Sequence, residues 1–257
     1  MKVVILAGGH GTRLSEETIV KPKPMVEIGG RPILWHIMKL YSNYGFNEFI
    51  ICLGYKGDII KDYFVNYLER NSDLIVNTSD GKIDKIDSQT PNWKVWLIDT
   101  GKETMTGGRL RRVVKYIDGD TFMMAYGDGV SNVDINKLLL FHKNHKKLVT
   151  VTAVQPEGRF GALNLTEAGN VNRVMEKPLG DGGWVNSGFF VINKKALKLI
   201  HGDDIIWERE PMESLATNGN LMAYRHFGFW KPMDTLSDKN ELEKLWSSDS
   251  PPWKVWK

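Results

Sequence analysis

A single cysteine, Cys52, in 257 residues excludes an internal disulfide, so the fold must be held by its core. Cys52 lies within the apolar run Phe49-Ile50-Ile51-Cys52-Leu53, where it reads as a small core residue. Long apolar runs are lacking as well: no segment approaches the roughly 20 residues of a membrane-spanning helix. The run after Lys2 is too short for a signal peptide and ends in glycines. These absences point to the cytoplasm and to no membrane contact. Nor is one charge in excess. The chain carries 34 lysines and arginines against 31 aspartates and glutamates, a net +3 with no dense basic stripe, so nucleic-acid binding is not expected. Repeats, low-complexity tracts and linkers are also missing, and one domain over residues 1–257 is expected.

What is present is concentrated near the N-terminus. Val3-Val4-Ile5-Leu6 reads as a buried strand, and it runs into Ala7-Gly8-Gly9-His10-Gly11-Thr12-Arg13. Glycines there let the backbone approach a ligand and turn N–H groups towards it. Arg13 and Lys23 add fixed positive charge, so the loop is a candidate site for a chain of phosphates. Two better-known phosphate loops are excluded. No Lys-Ser or Lys-Thr pair closes the glycine run, as a Walker loop requires. The second candidate strand ends in Gly54 rather than an acid, which removes the dinucleotide fingerprint and with it a dehydrogenase.

Strands and helices alternate along the chain, which predicts an α/β fold with a mainly parallel sheet covered on both faces. Helices are expected at 32–44, with Pro32 in the first turn and Gly45 after the end, and at 56–69. Residues 70–98 read as a polar, irregular excursion with strand signals only near Trp93–Leu97. A helix is expected after Gly107-Gly108, a strand over Phe122–Tyr126, a helix near 134–146 capped by Asp134, and a strand over Val149–Val154. Further strands are expected at 161–165, 171–176, 184–192 and 221–226, then a last helix at 236–246. His142 and His145, beside Lys143, Lys146 and Lys147, read as the wet face of a helix rather than as metal ligands. Trp246, Trp253 and Trp256 suggest a tail docked on the body or on a partner subunit.

Asp128 stands between two glycines straight after a strand, which places its carboxylate at the carboxyl edge of the sheet, where ligands bind in open α/β folds. Asp234 could cap the final helix, or it could join Asp128 as a hard oxygen ligand for Mg²⁺ shared with phosphate.

Leu6-Ala7-Gly8-Gly9-His10-Gly11-Thr12-Arg13-Leu14, with Lys23, resembles the signature of the sugar-1-phosphate nucleotidyltransferases. Glu176-Lys177-Pro178 resembles that family's sugar-side motif, and Asn186-Ser187-Gly188-Phe189 its following strand. Ser15 to Met25, Asp99-Thr100-Gly101, Met105 to Leu110, Gly127-Asp128-Gly129, Pro232 to Leu236 and the tryptophan-bearing tail resemble the branch that takes CTP and glucose 1-phosphate. The likeness covers nearly the whole chain, with residues 70–92 the least distinctive.

The resemblance implies a Rossmann-like nucleotidyltransferase fold with a strand-rich sugar-binding lobe. It places the nucleotide part at about 1–130, the sugar part at about 131–235 and a helix and tail at 236–257. It implies attack of the sugar phosphate on the α-phosphorus of CTP, with pyrophosphate leaving and CDP-glucose as product. Arg13, Lys23 and Asp128 become the catalytic candidates, and Asp128 with Asp234 the Mg²⁺ ligands. Nucleotide contacts are expected from Leu6, Ala7, Gly8, Gly9, Gly11, Thr12, Arg13, Lys23, Thr104, Gly108, Arg109 and Asp128. Arg109 is a candidate donor to the base, or else a solvated cation starting a helix. Sugar contacts are expected from Gly161, Glu176, Lys177, Asn186 and Gly188. The resemblance also implies a homo-oligomer, with a hexamer in view. The alternatives are a UTP- or dTTP-dependent enzyme for the same sugar phosphate, or a non-catalytic nucleotide-sugar sensor. Retention of Arg13, Lys23, Asp128 and Asp234 speaks against the sensor.

Overall fold

The computed structural model describes residues 1–11, 14–87, 90–156, 158, 161–176, 179, 183–248 and 250–256. Its centre is a seven-stranded sheet. In chain order the strands are β1 (Val3–Leu6), β2 (Glu48–Leu53), β3 (Lys94–Asp99), β4 (Thr121–Tyr126), β5 (Val149–Val154), β6 (Val185–Asn193) and β7 (Leu221–Arg225). They lie in the order β7-β5-β6-β4-β1-β2-β3. β1 pairs in parallel with β2 and β4, β2 with β3, and β5 with β7; only β6 runs antiparallel, to both β4 and β5. Lys94–Asp99 is therefore an edge strand of the main sheet, not part of an excursion.

Alternation along the strands divides the core into two. Val3, Ile5, Phe49, Ile51, Met123, Ala125 and Phe189 face one helical layer, which includes α1 (Ile33–Asn43) and Ile135 and Leu138 of α4 (Ile135–His145). Val4, Ile50, Cys52, Phe122, Met124 and Phe190 face the other, which includes Leu110 and Val113 of α3 (Thr106–Val113), Trp207, and Leu215 of α5 (Glu210–Thr217). Burial on both faces explains why these strands read as continuous apolar runs.

Local chemistry sets the helix ends. Pro32 precedes α1 and Gly45, at φ +85°, follows it. Asp134 caps α4 through its Oδ1, which accepts the Lys137 N–H at 2.9 Å. The expected helix over 56–69 is broken at Asn66 into α2 (Gly57–Val65) and a single turn, Tyr67–Arg70. Gly107 and Gly108 lie inside the first turn of α3, not before it. A Cβ would stand 2.7 Å from the Ile205 carbonyl oxygen at Gly107 and 2.5 Å from that of Asp203 at Gly108, so glycine is what lets the helix pack there.

The longer hairpins outside the main sheet are Asp73–Val76 with Ile83–Ile86 and Ala162–Leu165 with Val171–Met175. The first is regular, contrary to the irregular reading of residues 70–98. His142 is buried rather than solvated and His145 is half-buried, and both rings reach the Thr150 hydroxyl, at 2.8 and 2.7 Å. Burial, and next to it the His145 ring, lowers the pKa of His142 to about 4.

The tail folds onto its own chain. Trp253 and Trp256 are buried, and Trp253 Nε1 reaches His36 Nδ1 at 3.4 Å. The other ring nitrogen of His36 bonds the Ile28 carbonyl oxygen at 2.9 Å, so a neutral imidazole carrying its proton on Nε2 satisfies both contacts. Burial holds its pKa down at about 4.

Candidate active site

The carboxyl ends of β1, β2 and β4 meet at one edge of the sheet. Ala7 N–H donates to the Cys52 carbonyl at 3.1 Å and Gly127 N–H to that of Leu6 at 3.0 Å. Above them opens a cavity of about 500 Å³. Its wall includes Leu6, Ala7, Gly8, Gly9, His10, Gly11, Lys23, Thr104, Met105, Thr106, Arg109, Tyr126, Asp128 and Glu208. None of the described residues offers an acceptor to the N–H groups of Gly8, Gly9, His10 or Gly11. Unpaired N–H groups on a concave wall suit an anion. Gly11 adopts φ +64°, and a Cβ there would press on Lys23 and Thr18 at 3.0 Å, so the loop folds directly over the lysine.

Lys23 opens a short turn between Pro22 and Met25 and is buried. Its ammonium donates to Asp128 Oδ2 at 2.6 Å and to Asp234 Oδ1 at 2.6 Å. A short ribbon brings these aspartates together. Gly129–Ser131 pairs antiparallel with Trp230–Pro232, and Met233 N–H donates to the Asp128 carbonyl at 2.8 Å. Burial pulls the pKa of Lys23 down; the facing carboxylates of Asp128 and Asp234 outweigh it and hold the ammonium above its usual range. The cap of the final helix, α6 (Leu236–Trp246), is Thr235, in a reciprocal box with Asp238. Asp234 is thus not the cap, and its carboxylate turns to Lys23 instead.

Arg109 is no solvated cation. It is almost fully buried, and its guanidinium donates to the carbonyl oxygens of Gly8 (3.0 Å), Leu53 (3.0 Å), Gly101 (2.8 Å) and Lys102 (3.2 Å) and to the Thr100 hydroxyl (2.8 Å). Burial lowers its pKa from the usual guanidinium value. One side chain thereby ties the glycine loop, the end of β2 and the segment before Thr104. That segment is also pinned from outside, Met105 N–H to the Asp203 carbonyl at 2.8 Å.

The other expected positions distribute as follows. Thr104 is buried in the cavity wall, whereas Gly108 packs on Asp203 outside it. Gly161 and Glu176 lie together, a Cβ at Gly161 falling 3.1 Å from Glu176 Oε2. Asn186 and Gly188 open β6 beside the end of β4, with Asn186 Nδ2 donating to the Tyr126 hydroxyl at 3.0 Å. Thr12, Arg13 and Lys177 fall outside the described residues. Sequence reasoning missed Tyr126 and Glu208 in the wall; a turn of the type Trp-Glu-Arg-Glu carries no signal for that role.

With this geometry in place, the matches to known proteins are specific. Residues 2–224 match the family described as nucleotidyl transferase. The chain belongs to that family. Over all 257 residues, and all of the relative's length, it is 55% identical to the glucose-1-phosphate cytidylyltransferase of Salmonella typhi. It is 42% identical, again over both full lengths, to the probable glucose-1-phosphate cytidylyltransferase of Bacillus subtilis. Among solved nucleotidyltransferase-like structures, HddC from Yersinia pseudotuberculosis complexed with GMP-PN superimposes with a TM-score of 0.69 at 25% identity, covering 96% of this chain and 99% of that one. The α/β fold, a mostly parallel sheet with helices, is what this nucleotidyl transferase shares with that neighbour. No helix among the described residues is long and apolar enough to cross a membrane.

Proposed function

We propose that the protein transfers a cytidylyl group from CTP to glucose 1-phosphate, forming CDP-glucose and pyrophosphate. The observation that carries this reading is the full-length 55% identity to a named cytidylyltransferase, in a chain whose cavity holds a buried cation between two carboxylates under a glycine loop. The attacking group is a phosphate monoester, already anionic near neutral pH, so no side chain has to remove its proton. The site needs to align two polyanions and spread the developing charge. Unshielded, those anions would repel by several kcal/mol at an effective dielectric near 20. Lys23 is a buried cation at the cavity wall, where Lys102 and Arg109 also stand, and the N–H groups of Gly8 to Gly11 add oriented dipoles. Arg13 is assigned to the pyrophosphate portion by the same reading.

Mg²⁺ fits this donor set. Two carboxylates already converge on one cation, with the Lys23 ammonium standing where they meet. Among the described residues no group of three or more His, Cys, Asp or Glu could hold a metal, so Asp128 and Asp234 would leave the rest of the shell to phosphate oxygens and water, as Mg²⁺ prefers. Bound there, the ion would neutralise phosphate charge. Assembly into a homo-oligomer, with a hexamer in view, belongs to the same proposal. The exposed apolar residues of the two hairpins support it: Leu74, Ile75, Val76, Ile83 and Ile86 on one, Leu163, Leu165, Val171 and Val174 on the other.

Purified protein with glucose 1-phosphate and Mg²⁺, offered CTP, UTP, dTTP, ATP and GTP separately, should release pyrophosphate fastest with CTP. A wrong base leaves buried polar groups unpaired, at about 1–3 kcal/mol per group. Equal or higher kcat/KM with UTP or dTTP would overturn the cytidylyl assignment and leave nucleotidyl transfer standing.

A further inference from the structure

Glu208 lines the cavity with Lys23 and Asp128, yet the reaction as derived above makes no use of it. Its carboxylate oxygens are committed in two directions. Oε2 accepts the Thr106 hydroxyl at 2.6 Å, and Oε1 accepts the Tyr126 hydroxyl. Thr106 opens α3 just after the Thr104–Met105 loop, and its oxygen accepts the Trp207 N–H at 2.9 Å. Tyr126 ends β4, two residues before Asp128, and its oxygen accepts from Asn186 Nδ2 at 3.0 Å. Asn186 Oδ1 in turn accepts the Gly188 N–H at 2.8 Å. One carboxylate thus joins the Thr104 loop to the start of β6.

The directions along this chain are forced. Both hydroxyls donate to Glu208, so Tyr126 spends its one proton there. Its oxygen is then an acceptor, which selects the Nδ2 end of Asn186. The Gly188 N–H selects the Oδ1 end from the other side. A reversed amide would set oxygen against oxygen and donor against donor. The backbone reinforces the arrangement: Gly188 has φ +84°, and a Cβ there would stand 2.5 Å from Cδ2 of the Tyr126 ring, so β6 seats directly on that ring. The second Nδ2 proton of Asn186 meets no acceptor among the described residues.

We propose that Glu208 is a positioning residue for the sugar phosphate: through Tyr126 it fixes the direction in which Asn186 presents that proton to a hydroxyl oxygen of the hexose. The inference rests on the cytidylyl-transfer reading for the identity of the sugar. It is tested by calorimetric titration of glucose 1-phosphate into full-length protein saturated with CTP, in EDTA so that no turnover occurs, alongside the Kd for CTP. Tyr126→Phe, which leaves the Glu208–Thr106 bond in place, should weaken glucose 1-phosphate by about 10-fold or more, with the CTP Kd within about two-fold of wild type. Glu208→Ala should weaken glucose 1-phosphate at least as much; because it also frees Thr106, the CTP criterion is read on Tyr126→Phe. Glu208→Gln, which keeps an acceptor for the Tyr126 hydroxyl, should restore most of the affinity. The Glu208→Ala/Tyr126→Phe double variant should bind no more weakly than the poorer single variant, because the two act as one unit. Tyr126→Phe keeps the ring on which Gly188 rests, so it remains decisive should Glu208→Ala fail to fold. Unchanged glucose 1-phosphate affinity in Tyr126→Phe, or CTP affinity falling in step with it, overturns the proposal. A mistaken base assignment shows separately, as wild-type preference for UTP or dTTP with the sugar-phosphate losses of the variants intact.

Discussion

Replacing Arg109 with alanine should loosen the nucleotide side of the cavity before it unfolds the protein. The guanidinium bonds four carbonyl oxygens and one hydroxyl, but those acceptors are not equally dependent on it. Leu53 O keeps the Thr100 N–H at 3.0 Å and the Thr100 hydroxyl at 2.6 Å, and Gly8 O keeps the Tyr55 N–H at 3.1 Å. The carbonyls of Gly101 and Lys102 have no other donor among the described residues, and they sit nearer solvent, where water can replace part of the loss. Orphaned buried acceptors cost about 1–3 kcal/mol each. Partial rescue by water places the stability loss at about 2–3 kcal/mol, or about 5–10 °C in Tm for a chain of this size. The larger effect is on geometry, because the glycine loop and the Thr104 segment lose their common tie. KM for CTP should rise by about 10-fold or more, since positioning and not new contact is what disappears. Gly8→Ala offers an independent approach. A Cβ there would stand 2.1 Å from Arg109 Nη1, so it evicts the guanidinium without deleting it. The two variants should share a phenotype, and the pair should be no worse than the poorer single variant. Thermal melts and CTP saturation curves decide. A Tm within about 1 °C of wild type together with unchanged KM would show that Arg109 is an idle core cation and refute the argument.

Lys23→Met should lower kcat on the order of 100-fold, since it deletes one preorganised charge. The same variant, free of nucleotide, should bind Mn²⁺ more tightly than wild type because no ammonium neutralises Asp128 and Asp234; unchanged Mn²⁺ binding by electron paramagnetic resonance would refute that link. Ending the chain at Ser247 removes the buried Trp253 and Trp256, each worth about 2–3 kcal/mol, so Tm should fall by about 10 °C or more. Light scattering that finds the shortened chain equally stable but dissociated would assign the tail to an interface instead. His36 has its pKa lowered to about 4, so the unfolded chain binds the extra proton between about pH 6.5 and 4, and stability falls with pH across that window by about 3 kcal/mol. Urea melts should show a shallower fall for His36→Gln than for wild type over that range, and equal slopes would remove His36 as the cause.

How much of this was legible in the sequence depended on how local the cause was. The sheet strands were visible because burial on both faces writes itself as an uninterrupted apolar run, and Asp134 was visible because a cap and its N–H are three residues apart. Asp128 could be placed at the sheet edge for the same reason. Its meeting with Asp234 could not, because the Gly129–Ser131 and Trp230–Pro232 ribbon joins segments about a hundred residues apart through backbone bonds that any side chains could make. The misread elements share that property. Thr150, in the strand after α4, is what gives His142 and His145 a shared partner, with His142 buried against it. The Asp203–Ile205 backbone is what admits two glycines into the start of α3. Arg109 is the sharpest case. All but one of its acceptors are main-chain oxygens, drawn from three separate segments, so little in the partner residue types marks them, and the closeness of Gly8 and Gly54 to its guanidinium records the constraint. Glycines at those two positions are therefore as much part of the arginine's site as of the loops they lie in. The sequence pattern that looked like a phosphate cradle alone also serves to admit a buried cation from behind.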